Sequence, residues 1–270
     1  MTDRSIITAS NKRNRLNKNN GWDYLIIVLM ALFMLLCVYP FWYVLIGSFS
    51  DGQNYLRGGV YIWPRVWSLQ NYMVTLVDSR LYLGFRVTFL RTVLGTLTHV
   101  LFTSMVAYAM SRDDLPARQP IYWINIFTMF FGGGLVPFYI LLKQLGLINT
   151  FWVYIIPGLY SVYNMIICSN YFRSISGEIH DSAMLDGASE FKTFYMVYLP
   201  LSTPVLATVA LWVGVGHWNA FFDSMVFTTD RNLQMLQLYL YKMIKTSEFV
   251  STADMGYLPA EVQQNVTSTT

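Results

Sequence analysis

The sequence predicts an all-α integral membrane protein with five visible membrane spans. Three observations carry that reading. Of the 270 residues, 54% are hydrophobic and only 12% are charged, about half the charged share of ~25% usual in soluble domains. Mean hydropathy is +0.40. The charges are also unevenly spread: the stretches 24–50, 92–111, 119–142, 144–172 and 193–222 contain none. Each is long enough for a membrane-crossing helix of ~20 residues, whereas a membrane barrel would show short alternating segments. Eighteen basic and fifteen acidic side chains are too few to coat a soluble domain of this length.

Taken in order, the tail 1–22 carries Arg4, Lys12, Arg13, Arg15 and Lys18, and this basic cluster predicts a cytoplasmic N-terminus. The apolar run that follows is too long for a signal-peptide core and lacks a small-residue cleavage site. The connection 52–91 is rich in aromatics, among them Tyr61, Trp63 and Trp67, which suits an interfacial belt on the outer side. Residues 112–118 then form an inner loop, Lys143 marks a tight outer turn, and 173–192 is a polar inner segment. Five spans from an inner N-terminus leave 257–270 on the outer surface. The resulting divisions are a cytoplasmic tail at 1–22, the first helix with its outer connection at 23–87, and a core at 88–270.

Glycine and proline punctuate the spans at Gly132, Gly133, Gly134, Pro137, Pro157, Gly158, Pro200, Pro204, Gly214 and Gly216. Backbone groups freed at such breaks must be buried in protein or wetted by a cavity, so broken helices hint at a transport path; close helix packing also uses small residues. Cys37 and Cys168 sit in apolar runs and read as packing thiols. The net charge of +3 is too small for nucleic-acid binding. His99 and His217 are the ionisable groups expected inside spans. No HExxH, CxxC, GxSxG or Walker A pattern occurs in or near a span, which argues against a membrane protease, a zinc enzyme or a self-contained ATP-driven pump.

The inner segment 178–200 is distinctive. Two short helices joined at Gly187 fit it, because glycine permits the positive-φ turn that ends a helix. Ser189 can cap the second helix, with Glu190 favourable in its first turn. Asp181 and Asp186 face water or a partner.

On these residues the segment resembles the EAA loop of ABC importer permeases, whose pattern is E-A-A-x3-G-x9-I-x-L-P. Asp181, Ser182 and Ala183, three residues, Gly187, nine residues, then Val197, Tyr198, Leu199 and Pro200 match its full spacing. The departures are Asp181 for Glu, Ser182 for Ala and Val197 for Ile. The Asp186-Gly187-Ala188 run is similar to the sugar-importer form. Tyr39-Pro40-Phe41, Ala107 to Arg112 and Leu115-Pro116 look like carbohydrate permeases of the MalG type. Phe127 to Pro137 and Gly216-His217-Trp218-Asn219 look like the LplC-like branch, which includes the second permease subunit of an alginate importer.

The resemblance implies a type I importer transmembrane domain in the bacterial cytoplasmic membrane. It implies a second homologous permease subunit, two cytoplasmic ATPases that bind ATP and Mg, and an extracytoplasmic solute-binding protein; the chain itself would be non-catalytic, with no cofactor or metal. The cargo would be a sugar or oligosaccharide, alginate oligosaccharide included. Such permeases usually have six spans, so the sixth is expected beyond this sequence, and the Asn265-Val266-Thr267 triplet is a chance match. Asp181, Ser182, Ala183, Asp186, Gly187, Ala188, Leu199 and Pro200 would couple the spans to the ATPase. A sugar path needs aromatic faces and amides, and its candidates are Trp212, Trp218, Asn219 and Phe222, then Tyr160, Tyr163 and Asn164. The alternative is a permease of the same type for a peptide or amino acid.

Overall fold

A computed structural model describes residues 21–52, 55, 59 and 61–252, with side chains to 246. The basic N-terminal cluster and the 257–270 segment lie outside the described residues. The described chain is helical, with one isolated antiparallel bridge between Ser50 and Trp67. Two compact units divide between Val77 and Asp78.

In the first unit, α1 (Gly21–Ser48) is a 28-residue helix, about 42 Å at 1.5 Å per residue. That exceeds the ~30 Å hydrocarbon thickness. Its side chains are exposed almost throughout, as suits a lipid-facing helix. The following connection folds back on the end of α1: the amide of Asn71 donates to the Ser50 carbonyl at 3.0 Å, and the hydroxyls of Ser48 and Tyr72 are 2.7 Å apart. Phe49 packs against Trp67 and Tyr72 at centroid distances of 5.8 and 5.3 Å. The aromatic connection therefore has structure of its own, ending in the short helix α2 (Gln70–Val77).

The second unit is built on α3 (Ser79–Ser111), a 33-residue helix. Charge counting places the second span at 92–111, yet the helix begins thirteen residues earlier. Arg91 is the reason: it ends the charge-free run but is buried within the helix bundle. The inner face of α3 repeats at helical spacing through Gly84, Thr88, Arg91, Gly95, His99, Thr103 and Ala107, while Phe85, Phe89, Val93, Leu97 and Leu101 are exposed. Small and polar residues inside, large apolar ones outside, is how helices associate in lipid.

The third charge-free run is not one straight span. α4 (Arg118–Phe130) and α5 (Leu135–Gln144) meet at 114° across the glycine triplet, where Gly134 has φ +83°. At about 20 and 15 Å neither arm crosses a bilayer alone. Two 3₁₀ turns (Phe151–Tyr154 and Ile156–Gly158) lead at 48° into α6 (Val162–Arg173). The inner segment contains α7 (Gly177–Leu185), α8 (Glu190–Thr193), a π-helical turn (Phe194–Tyr198) and α9 (Leu199–Leu201). An 81° bend then leads into α10 (Thr203–Asn219). After it come α11 (Phe222–Phe227), a 3₁₀ turn (Arg231–Leu233) and α12 (Leu236–Thr252). Counting each bent pair as one span gives up to five among the described residues, by length and composition.

Two apolar clusters sit toward opposite ends of α3. One joins Ala107, Tyr108, Met165, Phe172, Phe194 and Tyr198; the other joins Val87, Leu142, Tyr154, Phe227 and Met235. α12 closes on α3 at Gly84, where an added Cβ would stand 3.1 Å from the backbone of Leu236. Gly84→Val should therefore force the helices apart, costing about 1–3 kcal/mol; a lowered thermal midpoint and faster proteolysis of α12 in purified protein would report it.

Asp78 caps α3 and accepts hydrogen bonds from Arg80 and from the Tyr239 hydroxyl of α12 at 2.7 Å. The Arg80 guanidinium, aided by Tyr239, lowers this carboxyl to about 2. A depressed folded-state value means that the stabilisation is complete above the unfolded value and vanishes as pH falls through the folded one. Thermal stability should drop between about pH 4 and pH 2, and Asp78→Asn should flatten that part of the curve.

Candidate functional site

The inner segment is a compact helix pair. α7 ends in a Schellman turn: Gly187 takes φ +78°, the Ala188 amide donates to the Ala183 carbonyl and the Gly187 amide to the Met184 carbonyl, both at 3.0 Å. Ser189 caps α8 by accepting from the Lys192 amide. Asp181, Ser182, Asp186 and Gly187 are exposed, Ala183 and Ala188 partly so. Leu185, at the tip, is 89% exposed. Pro200 is exposed, and Leu199 packs against the cluster around Tyr108.

Beneath this surface His180 is buried between carboxylates. Its Nε2 stands 3.1 Å from Glu190 Oε1 and its Nδ1 3.3 Å from Asp181 Oδ1. The other Glu190 oxygen accepts from the Tyr108 hydroxyl of α3 at 2.5 Å. The Tyr108 ring is held by Phe194 and Tyr198 at centroid distances of 5.3 and 4.8 Å. Tyr108, Glu190, Arg112 and Phe191 line a cleft of about 440 Å³.

A second polar constellation lies between the two apolar clusters. Arg91 donates from Nε to His217 Nδ1 at 3.1 Å and pairs through Nη2 with Asp223 Oδ2. Its Nη1 points at the Met235 sulfur, and its guanidinium carbon lies 5.1 Å from the centre of the Tyr154 ring. An arginine nitrogen only donates, so His217 accepts at Nδ1. Tyr154 is fixed in turn, donating to the Leu233 carbonyl at 2.7 Å. His99 lies further along α3: its Nδ1 donates to the Gly158 carbonyl at 2.6 Å, and its Nε2 accepts from the Asn164 amide at 2.9 Å. The free carbonyl of the Pro157-Gly158 break thus finds its partner inside the protein. Gly95 makes room for the seam, since a Cβ there would stand 2.7 Å from His217 Nε2.

The path candidates divide by environment. Trp212, Asn219, Phe222 and Tyr163 are exposed, and Trp212 and Asn219 are two helical turns apart on α10. Asn164 is engaged with His99, Tyr160 donates to Asn125 at 2.5 Å, and Trp218 packs edge-on against Phe85. Trp218 and Phe222 are expected to share a helix face, but α10 stops at Asn219 and Ala220 is extended, so Phe222 belongs to α11. Charge-free runs did not point to Arg91, Asp223, His180, Glu190 or Tyr108. The small–polar repeat of α3 was the available signal for Arg91.

Residues 5–246 match the family described as the inner membrane component of binding-protein-dependent transport systems. The chain belongs to that family. Among its relatives, the polygalacturonan/rhamnogalacturonan transport system permease protein YtcP of Bacillus subtilis is 32% identical over 230 residues, covering 85% of this chain and 80% of the relative. Protein LplC of the same organism is 33% identical over 80% of this chain and 73% of its own. The fold matches a chain of the crystal structure of a bacterial ABC transporter involved in the import of the acidic polysaccharide alginate, with a TM-score of 0.81 and 28% identity; the match covers 93% of this chain and 91% of that one. The architecture is thus the type I ABC importer transmembrane fold.

Arg91 is 5% exposed, so removing its counter-charge leaves a cation in an apolar bundle. Asp223→Leu should destabilise the protein by on the order of 3 kcal/mol, and adding Arg91→Met should recover most of that; thermal unfolding of the single and double variants measures both.

Proposed function

We propose that this protein is a membrane permease subunit of an ABC importer for an oligosaccharide, with α7 as the helix that couples it to a cytoplasmic ATPase. Membership of the binding-protein-dependent family carries the transport reading. The cargoes named for the relatives are saccharides: polygalacturonan and rhamnogalacturonan, trehalose and maltose, and alginate. Two of these, polygalacturonan and alginate, are uronate polymers, so an acidic oligosaccharide is the cargo we favour.

The coupling reading rests on the shape of 178–200. A partner that pushes on a permease needs a short rigid handle, and α7 with its Schellman turn presents one, tipped by Leu185 and rimmed by Asp181 and Asp186. Closure of two ATPases on ATP would displace α7 and switch the spans between inward-facing and outward-facing forms. Hydrolysis would belong to those separate subunits, and an exported binding protein would deliver cargo from the other side. The N-terminus would then be cytoplasmic. Trp212, Asn219 and Phe222 are exposed along α10 and α11, where rings can stack on sugar C–H faces and an amide can bind hydroxyls. Arg86 on α3 is an exposed cation that could meet a uronate carboxylate.

The test is reconstitution in liposomes with the second permease subunit, the ATPase and the binding protein. Hydrolysis should rise with binding protein loaded with uronate oligosaccharide; no stimulation by any saccharide-loaded binding protein would overturn the importer reading. Gly187→Asp forces a side chain onto a left-handed backbone position and places charge at the tip. It should abolish copurification of the ATPase, and retention of both assembly and stimulated hydrolysis would remove α7 from the coupling role.

A further inference from the structure

We infer that Glu190 and Tyr108 are positioning residues that lock the coupling helix α7 to the end of α3, so that α3 is displaced together with α7. This rests on the reading of 178–200 as the coupling segment.

The backbone route from α7 to the next span is interrupted three times. It turns at Gly187 with φ +78°, widens to a π-helical turn over Phe194–Tyr198, and bends by 81° between Leu201 and Thr203. The backbone thus changes direction repeatedly between α7 and α10. The side-chain route is shorter. The Glu190 carboxylate faces α7 through His180 Nε2 at 3.1 Å and α3 through the Tyr108 hydroxyl at 2.5 Å. A phenol donating to a carboxylate is among the stronger hydrogen bonds. Both flanking side chains are fixed, His180 being 3% and Tyr108 7% exposed. Packing of the Tyr108 ring against Phe194 and Tyr198 binds the π-helical turn to the same point.

α3 is suited to carry the movement onward. It is continuous over 33 residues, and about 25 Å separates Tyr108 from Arg91 along its axis at 1.5 Å per residue. Arg91 then engages α10 through His217 and α11 through Asp223. The tie at one end of the helix is thereby connected to the ion pair at the other.

The experiment measures oligosaccharide taken up per ATP hydrolysed by the whole complex in liposomes. Tyr108→Phe removes one oxygen and keeps the ring; Glu190→Gln keeps the side-chain shape and removes the charge. Each should lower uptake per ATP about tenfold, the factor set by losing one charge-assisted hydrogen bond, while the ATPase still copurifies. The double variant should be no worse than the more affected single, because both break the same tie. A wild-type ratio in Tyr108→Phe, or a double-variant loss equal to the product of the singles, would overturn the inference. If Gly187→Asp abolishes assembly while Tyr108→Phe behaves as wild type, the coupling reading stands and the tie alone falls. If Gly187→Asp assembles and is stimulated normally, the coupling reading falls and takes the tie with it.

Discussion

A guanidinium cannot sit among apolar helices without partners, and that constraint on Arg91 organises the second unit. Taking a charge out of water costs several kcal/mol unless it is paired and hydrogen-bonded. Arg91 meets the cost with side chains from three directions beyond its own helix: His217 on α10, Asp223 on α11, and Tyr154 with Met235 beneath and beside it. Two of these segments are too short to hold their position by helix packing alone. α11 has six residues and the Tyr154 turn four. The polar seam supplies the register that a uniformly apolar interface would leave loose.

The same helix explains how a protein with so many broken elements keeps its shape. α4 and α5 diverge at the glycine triplet, the 3₁₀ turns bend into α6, and the chain bends again before α10. α3 runs unbroken through the unit, with small residues where neighbours approach and large apolar ones toward lipid. Backbone groups freed at such breaks and at helix starts find α3: the Gly158 carbonyl accepts from His99 Nδ1, and the Leu236 amide donates to the Thr88 hydroxyl at 2.9 Å.

Much of this was legible in the residues. The five apolar runs, the Gly187 turn, the Ser189 cap and the exposed Asp181 and Asp186 follow from local rules, because capping and turn chemistry act over four or five residues. The start of α3 was not legible from charge counting, since Arg91 looks like a loop residue until Asp223 is placed beside it, 132 positions away. The fold-back at Gly132–Gly134 shows in sequence as a break but not as an angle. The pairing of Glu190 with Tyr108 is likewise a tertiary fact: nothing local distinguishes Glu190 from any acidic first-turn residue of a helix.

The tie from Glu190 to Tyr108 requires α7 and α3 to move as one body. Spin labels placed at Leu185 and Met105, both exposed, with the exposed Cys37 replaced by serine, measure it directly in the reconstituted complex. The distance distribution should be single and unchanged between the nucleotide-free and ATP-trapped states. A Leu185–Met105 distance that changes as the ATPases close would contradict the account.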